Sequence, residues 1–205
     1  MYKNNYEMVE GLKNEGVLKS PRLIKAFLVV DRAKFVPKEL EGEAYVDYPL
    51  SLGENSAISQ PSTVAFILEM LDIKPGDKVL DIGAGSGWVT ALASYLTGEE
   101  GFVWAYEIKR GIGKFGQEKL KNTSFKNYSY KIGDAKRLWG ENAPYDKIIS
   151  GAAFPFVEES FYNLIACGGA AIIPTTSWEA ERITKDKSGK INIDTYYGFA
   201  FVPLI

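Results

Sequence analysis

Apolar residues recur at mixed helical spacing from about Tyr6 to Leu28, and the pattern breaks at Ser20-Pro21, where proline suits the first position of a second helix. Val36-Pro37 ends this regularity. A loop-like stretch follows through Asp47-Tyr48-Pro49 and Gly53-Glu54-Asn55, before Ser59-Gln60-Pro61 opens a helix running to about Leu71. Beyond the turn signal Lys74-Pro75-Gly76-Asp77 the pattern becomes strand and helix in alternation. Residues 78–82 form a short β run, residues 88–96 an apolar helix and residues 101–106 a second strand, after which a helix reaches about Leu120. Residues 127–132, 146–150 and 170–173 supply three more strands, with a helix near 157–166 between the last two. Arg182-Ile183-Thr184 and then residues 197–203 read as an antiparallel pair closing one edge.

Strands separated by helical patterns imply right-handed crossovers and a mostly parallel sheet. The expected fold class is therefore α/β: a Rossmann-like, doubly wound, mostly parallel sheet with an antiparallel C-terminal edge and a helical N-terminal extension. No repeat or long linker divides the 205 residues. They read as a single domain, with 1–75 as the N-terminal helical extension and substrate-side segment and 76–205 as the cofactor-binding core. In such a fold the ligand site lies at the carboxyl ends of the strands.

Chemistry concentrates where the first core strand ends, at Asp81-Ile82-Gly83-Ala84-Gly85-Ser86-Gly87-Trp88. Glycines let the backbone turn sharply into the helix and approach a ligand. The first N–H groups of that helix lack intrahelical partners and favour an anion. Glu107 follows the second strand at the spacing of an acid that grips ribose hydroxyls. Gly133-Asp134-Ala135 follows the third, where a carboxylate can receive an adenine amino group. The plain alternative is a tight turn with Glu107 as a solvated strand end. A nicotinamide dinucleotide uses similar geometry, but the spacing of Gly83, Gly85 and Gly87 departs from G-x-G-x-x-G. Asp81 also suits an ammonium better than a pyrophosphate. The expected cofactor is S-adenosyl-L-methionine, bound by Asp81, Gly83, Ala84, Gly85, Ser86, Gly87, Glu107, Asp134 and Ala135.

Composition narrows the chemistry further. The chain has no histidine, so imidazole-based zinc sites, Ser-His-Asp triads and histidine general bases are excluded, and no metal site is expected. A net charge of −2 gives no general attraction to nucleic acid or to an anionic membrane. The single cysteine, Cys167, permits no intrachain disulfide, and the first residues carry no apolar signal-like core. The expectation is a cytoplasmic monomer with neither nucleic acid nor membrane as partner. Cys167 reads as a small buried residue at a helix end, and residues 184–190 as a solvated hairpin turn.

Several further segments resemble the protein-L-isoaspartate O-methyltransferase family. These are Arg32 with Phe35-Val36-Pro37, Ala44-Tyr45-Val46-Asp47-Tyr48-Pro49-Leu50, Ile58-Ser59-Gln60-Pro61, Ala143-Pro144-Tyr145-Asp146, Gly151-Ala152-Ala153, Cys167-Gly168-Gly169 and the closing Phe201-Val202-Pro203-Leu204. They run in order from about residue 22 to the C-terminus. The resemblance implies methyl transfer from S-adenosylmethionine to the α-carboxylate of L-isoaspartyl residues in damaged proteins or peptides, a protein-repair reaction. It implies Ser59 at the active centre, its hydroxyl bonded to the reacting carboxylate, with Ile58, Gln60, Ala152 and Ala153 lining the substrate channel. Ser59 also stands where a helix N-cap would stand. A carboxylate nucleophile is already ionised at neutral pH, so a chain without histidine can perform this reaction by alignment alone. A related methyltransferase with another acceptor, or a non-catalytic peptide binder, is the alternative.

The chain departs from the family pattern at Ala57, where threonine is common, and at Ala135, where glycine is common. Gly111, Gly113 and Gly116 lie in the helix after Glu107. Each interior glycine costs roughly 0.8–1 kcal/mol against alanine, which predicts a soft helix.

Overall fold

The computed structural model describes residues 2–205. Two helices, α1 (Asn5–Asn14) and α2 (Pro21–Val29), come first. The Asn4 side chain accepts from the Glu7 backbone N–H at 2.9 Å, satisfying one of the donors that a helix start leaves free. Met8, Val9 and Leu12 of α1 and Leu23, Ala26 and Phe27 of α2 are buried. They join an apolar cluster that extends to Ala180. Arg22 fastens α2 to the body through the carbonyls of Ile73 (3.1 Å) and Leu96 (2.6 Å).

Next come the hairpin strands β1 (Leu50–Gly53) and β2 (Ser56–Ile58), and the helix α3 (Pro61–Leu71). The core then alternates: β3 (Lys78–Ile82), α4 (Trp88–Thr97), β4 (Phe102–Glu107), α5 (Arg110–Lys121), β5 (Tyr128–Ile132), α6 (Ala135–Leu138) and β6 (Tyr145–Ser150). Three strands finish it: β7 (Ile165–Thr175), β8 (Glu179–Lys185) and β9 (Ile191–Tyr197). The sheet order is β5-β4-β3-β6-β7-β8-β9. β5 to β7 run parallel, while β8 and β9 are antiparallel additions. The direction of winding reverses between β3 and β6. The crevice at that switch point is where α/β sheets bind ligands.

The doubly wound class with an antiparallel edge is as expected, but four local expectations change. The stretch that reads as loop in the sequence contains the β1–β2 hairpin, whose turn places Glu54 (φ 49°) and Asn55 (φ 53°) in the left-handed region. Such a turn suits the twist of a two-residue hairpin, yet its strands are too short to show a period. The helix expected near 157–166 is a 3₁₀ segment, Glu159–Leu164, and β7 begins at once with Ile165. The second edge strand is β9, not residues 197–203. As an outer strand it is exposed on most positions and carries no clean alternation. Residues 198–203 instead turn back: Gly198 and Phe199 N–H donate to the Trp178 carbonyl, and Ala153 N–H donates to the Val202 carbonyl at 2.7 Å. Finally, Cys167 is exposed on β7 rather than buried at a helix end. Gly168, at φ 87°, marks the irregular register there.

Candidate active site

At the end of β3 the N–H groups of Gly83 and Ala84 both donate to the Tyr106 carbonyl, at 2.9 and 3.0 Å, which binds the loop to the end of β4. Gly83 and Gly87 hold φ of 69° and 83°, conformations that disfavour a side chain. At Gly87 a Cβ would also lie 2.7 Å from Leu120 Cγ. The middle of the loop is gripped from two sides. Gly85 N–H donates to Glu107 Oε2 at 3.0 Å, and the Tyr130 hydroxyl donates to the Gly85 carbonyl at 2.6 Å. Glu107 Oε1 accepts from Lys109 N–H at 2.9 Å. Glu107 is thus a buried acid held by backbone donors, not a solvated strand end.

Asp81 is 1% exposed and accepts a 2.6 Å hydrogen bond from the Thr90 hydroxyl. Burial pushes its pKa up to about 7; the Thr90 bond opposes the rise and the neighbouring Glu107 adds to it. Among the described residues no lysine or arginine offsets that burial. A buried carboxylate without a protein cation, set in the wall of a cleft, fits a cationic ligand group. Ser86 is buried and accepts from Trp88 N–H at 3.4 Å. Asp134 caps α6 by accepting from Lys136 N–H at 2.9 Å, and Ala135 is buried behind it.

These residues line two joined lobes that share Ala57, Gly83, Gly85 and Gly151. Asp81, Ala84, Ser86, Trp88 and Ser59 belong to the first. Glu107, Lys109, Gly133, Asp134, Ala135 and Ala152 belong to the second. Gly87 is on neither wall and acts by turning the chain into α4. A third, wider groove contains Pro49, Gln60, Thr63, Phe199 and Phe201, and it meets the first lobe at Ala57, Ser59 and Gly151. Ser59 therefore stands at a junction. The arrangement can hold a long ligand with a cationic end and a hydroxyl-rich end, and bring a second molecule to it through the groove.

The hydroxyl of Ser59 does not cap α3. That part falls to Asp47, whose carboxylate accepts from Ser62 N–H at 2.8 Å and from Gln60 Nε2 at 3.0 Å. The Ser59 carbonyl is instead fixed by Arg32, which is fully buried and donates to the carbonyls of Ala44 (2.8 Å), Tyr48 (3.1 Å) and Ser59 (3.0 Å). Burial lowers the Arg32 pKa to about 10, and Asp47 and Tyr48 work against the fall. Gln60 borders the groove, and Ile58 lies in the first lobe. Ala152, expected in the substrate channel, lines the Glu107 lobe. Ala153 borders none of the three, and its backbone carries residues 202 and 204.

Sequence reasoning missed Tyr130, Thr90 and Lys109, and gave Arg32, Asp47 and Phe201 no part in the site. Thr90 carried a signal, a polar residue on an apolar helix one turn past the glycine loop. Tyr130 looked like any strand aromatic.

The sequence model of the family described as protein-L-isoaspartate(D-aspartate) O-methyltransferase matches residues 3–205. A protein-L-isoaspartate O-methyltransferase of Methanopyrus kandleri is 37% identical over 202 residues, 97% of this chain and 89% of that one. Another, of Thermococcus sibiricus, is 36% identical over 100% of this chain and 95% of its own. Among solved structures, a Plasmodium falciparum protein given the same activity, in complex with S-adenosyl-L-homocysteine, shares the fold with TM-score 0.88. It is 24% identical, with 98% of each chain covered. A second structure of that name has TM-score 0.81 and 27% identity, covering 97% of this chain and 65% of that one. The match across nearly every residue, together with these relatives, shows that the chain belongs to the protein-L-isoaspartate(D-aspartate) O-methyltransferase family.

Proposed function

We propose that this chain transfers a methyl group from S-adenosylmethionine to the α-carboxylate of L-isoaspartyl residues in proteins or peptides. The observation that carries the reading is the junction at Ser59, where a cleft with a carboxylate in each of two lobes opens into a separate groove. In this reading Asp81 receives the ammonium of the cofactor's methionine part, and the loop of Gly83, Ala84, Gly85, Ser86 and Gly87 leads its backbone past it. Glu107 receives the ribose hydroxyls, and Asp134 with Ala135 borders the adenine.

When bound, S-adenosylmethionine supplies a methyl group on a positively charged sulfur. The acceptor carboxylate arrives ionised, so no residue has to remove a proton. The Ser59 hydroxyl donates a hydrogen bond to that carboxylate and directs one of its oxygens at the methyl carbon. As the oxygen–carbon bond forms, the carbon–sulfur bond breaks, leaving a methyl ester and a neutral thioether. Charge is lost on both sides of the reaction, so a site sheltered from water favours it. Phe201, on the wall of both groove and first lobe, helps to exclude water. Ile58 and Gln60 shape the acceptor's approach.

Among the described residues no helix is long and apolar enough to cross a membrane. We further propose a cytoplasmic monomer acting on polypeptide; the net charge of −2 favours that acceptor over nucleic acid. Incubation with labelled methyl donor and matched isoaspartyl and aspartyl peptides tests the function. Label should enter the isoaspartyl peptide alone, and Ser59→Ala should remove most of it. Equal labelling of both peptides, or none, overturns the proposal.

A further inference from the structure

The β1–β2 hairpin forms one wall of the cofactor cleft, since Ser56 and Ala57 face Glu107, Ile108 and Lys109 across the second lobe. Leu50 and Ile58 anchor the base of the hairpin in the core, but its outer turn at Gly53, Glu54 and Asn55 is exposed and has little of its own to hold it there. Its strands are four and three residues long, their register shifts between Ser51 and Gly53, and isolated two-stranded hairpins are marginal in water. One side chain from the opposite wall crosses to it. Lys109 Nζ donates to the carbonyls of Glu54 (2.7 Å) and Asn55 (3.1 Å) and to the hydroxyl of Ser56 (3.1 Å). All three ammonium donors are thereby used on the hairpin turn. The backbone N–H of the same residue holds Glu107 Oε1.

We propose that Lys109 is a positioning residue that latches the hairpin across the cofactor cleft and sets how long the nucleoside is retained. It ties the acid assigned to the ribose to the strand leading into Ala57, Ile58 and Ser59. The inference rests on the reading of the Glu107 lobe as the nucleoside site. The latch is charge-assisted and lies on a partly exposed rim, so its loss opens the cleft without removing any contact from the apolar core.

The test is S-adenosylhomocysteine binding to the full chain, followed by stopped-flow, with wild type, Lys109→Met, Lys109→Arg and Ser56→Ala. Loss of a charged donor shared by three acceptors should raise the dissociation rate of Lys109→Met about tenfold or more. Its association rate should stay within about twofold of wild type, because opening the wall does not hinder entry. Lys109→Arg should recover most of the slow dissociation, and Ser56→Ala should give a smaller rise. An unchanged dissociation rate in Lys109→Met overturns the latch, as does a loss of affinity carried by association alone. Equal rates for the methionine and arginine variants would reduce Lys109 to a structural filler and also overturn it. If wild type itself bound no S-adenosylhomocysteine, the cofactor reading would fall first, a result distinct from the others.

Discussion

Raising the pH should destabilise the ligand-free protein through Asp81. Its folded pKa of about 7 stands above the ordinary value of 3.8, so between those limits the folded state holds a proton that the unfolded chain releases. Stability therefore falls as pH rises, because the folded form binds more protons across that window, and the loss is complete once pH passes about 7. At about 1.4 kcal/mol per unit the whole window amounts to about 4 kcal/mol, of which about 3 kcal/mol lies between pH 5 and 7.5. For a domain of this size that is on the order of 6–12 °C in unfolding midpoint. Asp77 and Glu181 are shifted in the same direction by burial, so the quantity to read is the difference between wild type and Asp81→Asn. That variant should gain stability over wild type progressively from pH 5 to 7.5. An ammonium beside the carboxylate reverses the preference. Binding of S-adenosylhomocysteine should expel the proton, and affinity measured by calorimetry should tighten by up to about tenfold per unit between pH 5.5 and 7. Wild-type affinity that is flat over this range, or an equal slope in Asp81→Asn, would refute the assignment of Asp81 to the ammonium.

The core was legible because each of its elements announces itself locally. The apolar run ending in Asp81 and the glycines after it mark β3 and its turn, and Glu107 and Asp134 follow at strand ends in the order that a doubly wound sheet requires. What escaped was whatever depends on a partner far along the chain. Tyr130 reaches the Gly85 carbonyl across 45 residues, Lys109 the hairpin turn across 53 to 55, and Arg32 the Ser59 carbonyl across 27. No periodicity reports such pairings. Ser59 shows both sides of this. The family resemblance implies a place at the active centre, and the serine lies where cleft and groove meet; the alternative of a helix cap, equally open from its spacing before Pro61, is closed only by Asp47, a residue 15 positions from the Ser62 N–H that it accepts.

Two further substitutions test this division between local and distant causes. Arg32→Met should lower stability by at least about 3 kcal/mol in denaturant unfolding, since the buried carbonyls of Ala44 and Val46 and the half-buried ones of Tyr48 and Ser59 lose their donor; a loss under about 1 kcal/mol would mean that water replaces it. The glycines of α5 give an opposed pair. On helix propensity alone Gly116→Ala, in the interior of α5, should stabilise by roughly 0.8–1 kcal/mol, and Gly111→Ala, in its first turn, by a part of that. At Gly111 the added carbon meets only the end of the Glu54 side chain, which can swing aside, so the gain should largely be realised. At Gly116 it meets the Gly85 carbonyl and lies 2.6 Å from the Tyr130 hydroxyl, the two ends of the hydrogen bond that grips the loop. Neither can move without disturbing the loop, and overpacking of this kind costs about 1–3 kcal/mol. Gly116→Ala should thus be less stable than wild type and bind S-adenosylhomocysteine more weakly, while Gly111→Ala is more stable. If both variants were stabilised alike, the glycine at 116 would be a mere soft spot in the helix, and the close approach of α5 to the loop would have no bearing on the cofactor site.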